Sequence, residues 1–171
     1  MKSIIAFLTI SLFISTFAFG QFKGKLGHLN SNDLLELMPE KAAAEKSIQD
    51  YAKQMENQLL EMQTELEKKY NSYMAEKANL SEIVAKTKEE ELMSMQQRIQ
   101  TFQQSAQTEL QKKEQDLLKP IIEKAQKAIA DVSKENGYTY VFDTATGAVG
   151  FVDETKSTNV LSLAKAKLGI K

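Results

Sequence analysis

The stretch Ile48-Gln49-Asp50-Tyr51-Ala52-Lys53-Gln54-Met55-Glu56-Asn57-Gln58-Leu59-Leu60-Glu61-Met62-Gln63-Thr64-Glu65-Leu66 decides the fold. Its apolar or small residues Ile48, Ala52, Met55, Leu59, Met62 and Leu66 recur at alternating intervals of four and three, the spacing of a coiled-coil seam. The seam runs on to Tyr73 and Leu80. Lys69 and Glu76 stand where apolar residues are due, with Tyr70 and Met74 beside them, so the seam is expected to weaken outward from the body. No glycine occurs between Gly27 and Gly137, and the only prolines are Pro39 and Pro120. From Glu40 to Asn136 the chain is rich in Gln, Glu, Lys, Met and Ala. A helix of ~40 residues is roughly 60 Å long, wider than a small globular domain. Helical arms projecting from a small body are the expected shape.

A seam needs a partner, and the following residues supply one. Asn79-Leu80-Ser81-Glu82-Ile83-Val84-Ala85-Lys86-Thr87 reads as a reversal, with the tip near residues 80–87. Thr87 and Glu90 form a capping-box pattern, which predicts that a second helix starts there. Its seam is Leu92, Met95, Ile99, Phe102 and Ala106, shifting by one position to Leu110 and Leu117 as a stutter does. The two seams predict an antiparallel helical hairpin. Pro120 lies inside a strong helical pattern; it removes a backbone donor and crowds the preceding turn, so a kink or hinge is expected. Beyond it Ile121, Ile122, Ala125, Ala128, Ile129 and Val132 make the broader apolar face of a helix packed on a body. Asn136-Gly137 ends that helix.

The rest of the chain reads as the body. Lys25 to Asn30 fits a strand, with Leu26 and His28 on one face and Gly27 and Leu29 on the other. Asn30-Ser31-Asn32-Asp33 offers caps to a short helical turn that stops before Pro39. Tyr138 to Asp143 and Ala148 to Asp153 read as two strands joined through Thr144-Ala145-Thr146-Gly147, which predicts a β-hairpin. A last helix is expected from about Thr158 to Leu168. The fold class is α+β, with a discontinuous body of residues 21–40 and 120–171 and arms of residues 41–119. A body of about 70 residues buries a modest core. Three strands also leave two open edges, so oligomerisation is expected, through strands carrying Leu26, His28, Tyr140, Phe142, Val149 and Phe151.

Residues 1–20 have their own signature. Lys2 precedes an apolar run from Ile4 to Phe19 that ends Ala18-Phe19-Gly20. The run is short for a membrane span and ends in small residues, which favours a signal peptide cleaved after Gly20 over an anchor or a buried helix. An exported chain without stable membrane insertion is expected. The absence of cysteine removes disulfides, thiolate chemistry and cysteine metal sites. The net charge is −1 for the full chain, and loss of Lys2 would make it −2. That balance gives no electrostatic case for nucleic acid or anionic membrane.

Catalytic chemistry finds no constellation. His28, the one histidine, reads as a packed strand residue rather than a base or ligand. Asp143 and Asp153 read as caps of strand ends rather than a carboxylate pair. Gly24-Lys25 lacks the spacing of a phosphate loop. No enzyme activity and no cofactor are expected. The charged runs on the arms read as a solvated helix face. Methionine is more informative. Met55, Met62 and Met95 fall on the seams, whereas Met74 and Met93 fall off them near the tip. With Tyr70, Tyr73, Leu80, Ile83 and Val84 they form the candidate adaptable binding surface.

Three segments carry a family resemblance: Lys25 to Asn30, Pro120 to Ile129, and Glu135 to Asp143. In their order and spacing, nearly the whole chain after residue 20 resembles the Skp/OmpH family of periplasmic chaperones. The resemblance implies a homotrimer whose strands join in a central barrel, with three helical tentacles enclosing a cavity. It implies an ATP-independent holdase for unfolded outer-membrane proteins. The sequence departs from the strongly basic tips of well-known members: Glu76 to Glu91 holds three lysines and five glutamates. Client capture here would then rest on apolar and methionine contacts. The alternative is a non-catalytic envelope adaptor or spacer that docks through its hairpin.

Overall fold

The computed structural model describes residues 24–170, so the expected signal segment lies outside the described residues. Strand β1 (Lys25–Leu29) leads into a short helix α1 (Ser31–Glu36), whose cap Asn30 accepts a hydrogen bond from the Asn32 amide. The long helix α2 (Pro39–Glu76) follows, with Pro39 in its first turn, where a missing amide proton costs nothing. A 3-10 turn at Lys77–Asn79 reverses the chain into α3 (Glu82–Glu135). Then come β2 (Tyr138–Asp143), a second 3-10 turn (Thr144–Thr146), β3 (Ser157–Asn159) and α4 (Leu161–Leu168). The 38 residues of α2 and 54 of α3 form the antiparallel hairpin. At the helical rise they span about 57 Å and about 81 Å. Among the described residues no helix is long and apolar enough to cross a membrane.

The sheet differs from the expected β-hairpin. Its order is β2-β1-β3, and both outer strands run parallel to β1. Residues 148–153, which include Val149 and Phe151, form no strand and belong instead to the return connection from β2 to β3. A parallel neighbour must enter the sheet at the same end as β1, so the chain has to travel back after β2. Gly147, at φ 71°, turns it out of the sheet. Asp153 then accepts from the amide and hydroxyl of Thr155, and the resulting turn aims Ser157 into the sheet. Thr158 therefore lies in β3, and the last helix starts later than expected, at Leu161. β1 is the central strand, so the backbones of Leu26 and His28 are already paired on both sides and offer no open edge.

The core lies on one face of this sheet. Leu29, Leu34, Met38, Ala44, Ile121, Ala125, Val160 and Ala164 are buried together, with Leu117, Leu118, Ile129, Tyr138 and Val141 packed around them. The roots of both long helices thus share one core with α1 and α4. Gly27 faces this core. A Cβ there would sit 3.1 Å from side-chain atoms of Tyr138, Val141 and Val160, so glycine permits the close approach of three elements. Lys124 and Glu40 form an ion pair across the base of the hairpin.

Candidate functional site

The far end of the hairpin is closed by polar side chains. On α2, Lys69 pairs with Glu91 of α3, and the Tyr73 hydroxyl donates to Glu89. Lys77 reaches the same Glu89 carboxylate at 3.4 Å, and Lys88 reaches Glu76 at 3.2 Å. The lysine partners hold Glu76 and Glu91 below the usual carboxylate range, through Lys88 and Lys69 respectively. The Tyr73 hydrogen bond, followed by that of Lys77, does the same for Glu89. Beneath this clasp Tyr73, Leu92, Met95 and Ile99 are buried between the helices.

This arrangement corrects the expectation of a seam that fades outward. Ile48, Met55 and Met62, nearer the body, are only half-buried, whereas Tyr73 is 4% exposed. The charged residues at the two seam positions, Lys69 and Glu76, do not weaken the hairpin register; each has an opposite charge facing it on α3. The complementary residues Glu91 and Lys88 are visible in the sequence, but assigning them needs the hairpin register. The reversal also comes earlier than the capping-box pattern suggested. Ser81 precedes α3, and Thr87 lies within it, its hydroxyl donating to the Ile83 carbonyl at 2.9 Å.

The candidate binding residues separate into two groups. Tyr73 belongs to the helix-helix contact and is withdrawn from the surface, and Leu80 is half-buried at the turn. Tyr70, Met74, Ile83, Val84 and Met93 are exposed, Ile83 at 80%. They lie on both helices of the distal third of the hairpin, around the clasp. Their exposure matters because they gather in one part of the hairpin, and several large apolar side chains exposed in one region mark an interaction surface where a single one would not. Leu60, also exposed, adds a mid-arm residue that sequence reasoning missed, because its seam neighbour Leu59 took the apolar position.

α3 continues through Pro120 without a break. A hollow of about 670 Å³ lies along this part of the helix, lined by Gln111, Gln115, Leu118, Ile122 and Gln126 among others. At ~100° per residue, Leu118 and Ile122 point nearly opposite Pro120. A proline ring spreads the turn on its own side, so a bend at Pro120 would close toward this hollow.

On the body, the sheet face away from the core carries Leu26 beside Tyr140 and His28 beside Phe142. His28 is buried and its Nδ1 lies 2.9 Å from the Ser157 hydroxyl, a packed strand residue as expected. Tyr140 and Phe142 are exposed, with ring centroids 6.2 Å apart, and Phe151 on the return connection is 85% exposed. Asp143 accepts from the amides of Ser31 and Ala145, tying β2 to the start of α1. Asp153 holds its turn, and no metal-holding cluster of acidic or histidine side chains occurs among the described residues.

A search of curated proteins gave no match. Among solved structures, one similar chain is an OmpH-like outer-membrane chaperone candidate from Caulobacter crescentus. The likeness has a TM-score of 0.73 at 16% identity and covers 85% of this chain and 83% of that one. At that identity it establishes the shared fold: a small body and a long helical hairpin. The sequence itself adds a match to the family described as outer membrane protein (OmpH-like) over residues 25–168, and the chain belongs to that OmpH-like family.

Proposed function

We propose that this protein is an ATP-independent periplasmic holdase that keeps unfolded outer-membrane proteins from aggregating between its helical arms. The observation that carries this reading is the set of exposed apolar side chains, Tyr70, Met74, Ile83, Val84 and Met93, on the far third of the hairpin. A rod that needed only to separate two bodies has no use for exposed apolar residues at its end. Family membership supports the same reading. Residues 1–20 are read as the signal for export.

The arms need company to form a cavity, and we read the working unit as a homotrimer, by resemblance to the family. The outer edges of β2 and β3 have no strand partner among the described residues, and Tyr140, Phe142 and Phe151 are exposed beside them. These features favour burial against further copies of the chain.

The tip grips by apolar contact. Lys69, Lys77 and Lys88 are committed to Glu91, Glu89 and Glu76, and the remaining tip lysine, Lys86, is outnumbered by Glu82 and Glu90, so no net positive charge is left to attract an anionic client. Binding should therefore change little between low and moderate salt. The test is light scattering from a refolding barrel protein. Near-stoichiometric amounts should suppress it, and Ile83→Ser combined with Val84→Ser should weaken suppression several-fold at unchanged helicity. Unaltered scattering with the parent protein would sink the holdase reading. Crosslinking in cells separates the alternative: an adaptor or spacer captures one folded partner, a holdase many unfolded ones.

A further inference from the structure

The six methionines of the described chain fall into sharply different surroundings. Met38 is 1% exposed in the body core and Met95 4% exposed between the arms, while Met55 and Met62 are half-buried on the seam. Met74 is 52% exposed and Met93 63% exposed, one on each helix of the distal hairpin. The chain has no cysteine and no tryptophan, and its one histidine is buried. Two-electron oxidants react first with thiolates and thioethers, so in this protein they meet methionine sulfur first. The sulfur atoms they can reach sit among the exposed apolar residues of the tip.

We propose that Met74 and Met93 are a paired modification site, and that peroxide converts both to sulfoxides and thereby lowers the apolar affinity of the tip. A thioether sulfur takes one oxygen atom from hydrogen peroxide, which leaves as water; sulfur is oxidised by two electrons and the peroxide is reduced by two. No proton or further reductant is needed. The product is a polar, chiral side chain where a flexible apolar one stood. Both positions lie outside the helix seam, so the hairpin survives the change. Met95, one turn along α3 from Leu92 and buried as Tyr73 of α2 is, is protected by the fold. Reduction by a methionine sulfoxide reductase restores the surface. The loss of client binding rests on the holdase reading; the selectivity of oxidation does not.

The full mature chain is treated with limiting hydrogen peroxide and followed by peptide mass spectrometry. Met74 and Met93 should oxidise at least ~5-fold faster than Met38 and Met95. Binding of an apolar fluorescent probe and of an unfolded barrel protein should both fall several-fold, and return after reductase treatment. The pair Met74→Leu and Met93→Leu cannot form the sulfoxides, so its treated and untreated samples should bind alike. Equal oxidation rates at all six positions overturn the site. Unchanged probe binding by the doubly oxidised protein overturns the switch, as does an equal loss in the leucine variant. If untreated protein fails to hold barrel protein, the holdase reading falls, while the oxidation rates and probe binding still decide this inference.

Discussion

Gly27 has no room for even one additional carbon. Its neighbours come from β2 and from the lead-in to α4, so all three side chains would have to yield together. Gly27→Ala should destabilise the body by about 1–3 kcal/mol, the range for overpacking a filled core. A lowered thermal midpoint, with the helical signal of the arms retained below it, is the expected result. The sequence marked Gly27 as a strand residue facing the same side as Leu29, but not what it faced, because those neighbours lie far along the chain. Tyr73 shows the opposite limit. Its place in the seam and its place near the tip were both legible, and they point to different roles. Glu89 decides between them by taking the hydroxyl, which lets the ring be buried at no polar cost.

At the level of elements, the hairpin was readable because its seam repeats and nothing breaks it. The register across the hairpin was not, since spacing along one helix does not say which residue lies opposite. That register produces the clasp, and the clasp responds to acid. Glu76, Glu89 and Glu91 have lowered folded-state pKa values, so their stabilisation is fully present above the ordinary carboxylate value. It is lost as the pH falls through that value and then through the folded ones. Amide protection over residues 70–93, corrected for intrinsic exchange, should therefore drop on acidification before protection in the body does. All three groups are solvent-exposed, so the effect should be a loosening of the tip and not unfolding of the arm. Pro120 governs the other end. Proline is ~3 kcal/mol less favourable than alanine inside a helix. Pro120→Ala should raise thermal stability and narrow the distance distribution between spin labels at Asn79 and Lys165. An equally broad distribution in the variant would argue against a hinge at the shoulder.

For the whole molecule, the sequence yielded a three-element sheet and missed how it is connected. Ala148 to Asp153 alternates like a strand, but alternation cannot tell a paired segment from one that merely travels back beside the sheet. The strand that is used, Ser157–Asn159, is too short and polar to stand out. The open edges survive this correction and move outward to β2 and β3. If the proposed trimer is built on this face, Phe142→Asp together with Tyr140→Asp should shift the protein toward monomer in sedimentation velocity, because a carboxylate buried in an interface needs a partner. If the variant sediments as the parent does, that face is not where copies meet.

The central position of β1 also sets a timetable for the chain as it is synthesised. Lys25 must wait 111 residues for the carbonyl of Asn136, and His28 must wait 129 for Ser157. The hairpin, whose contacts are closer in sequence toward its tip, can zip from the tip before the C-terminal end has been made. The far end of the hairpin is therefore built first, and the sheet that roots it closes only when β3 has been made.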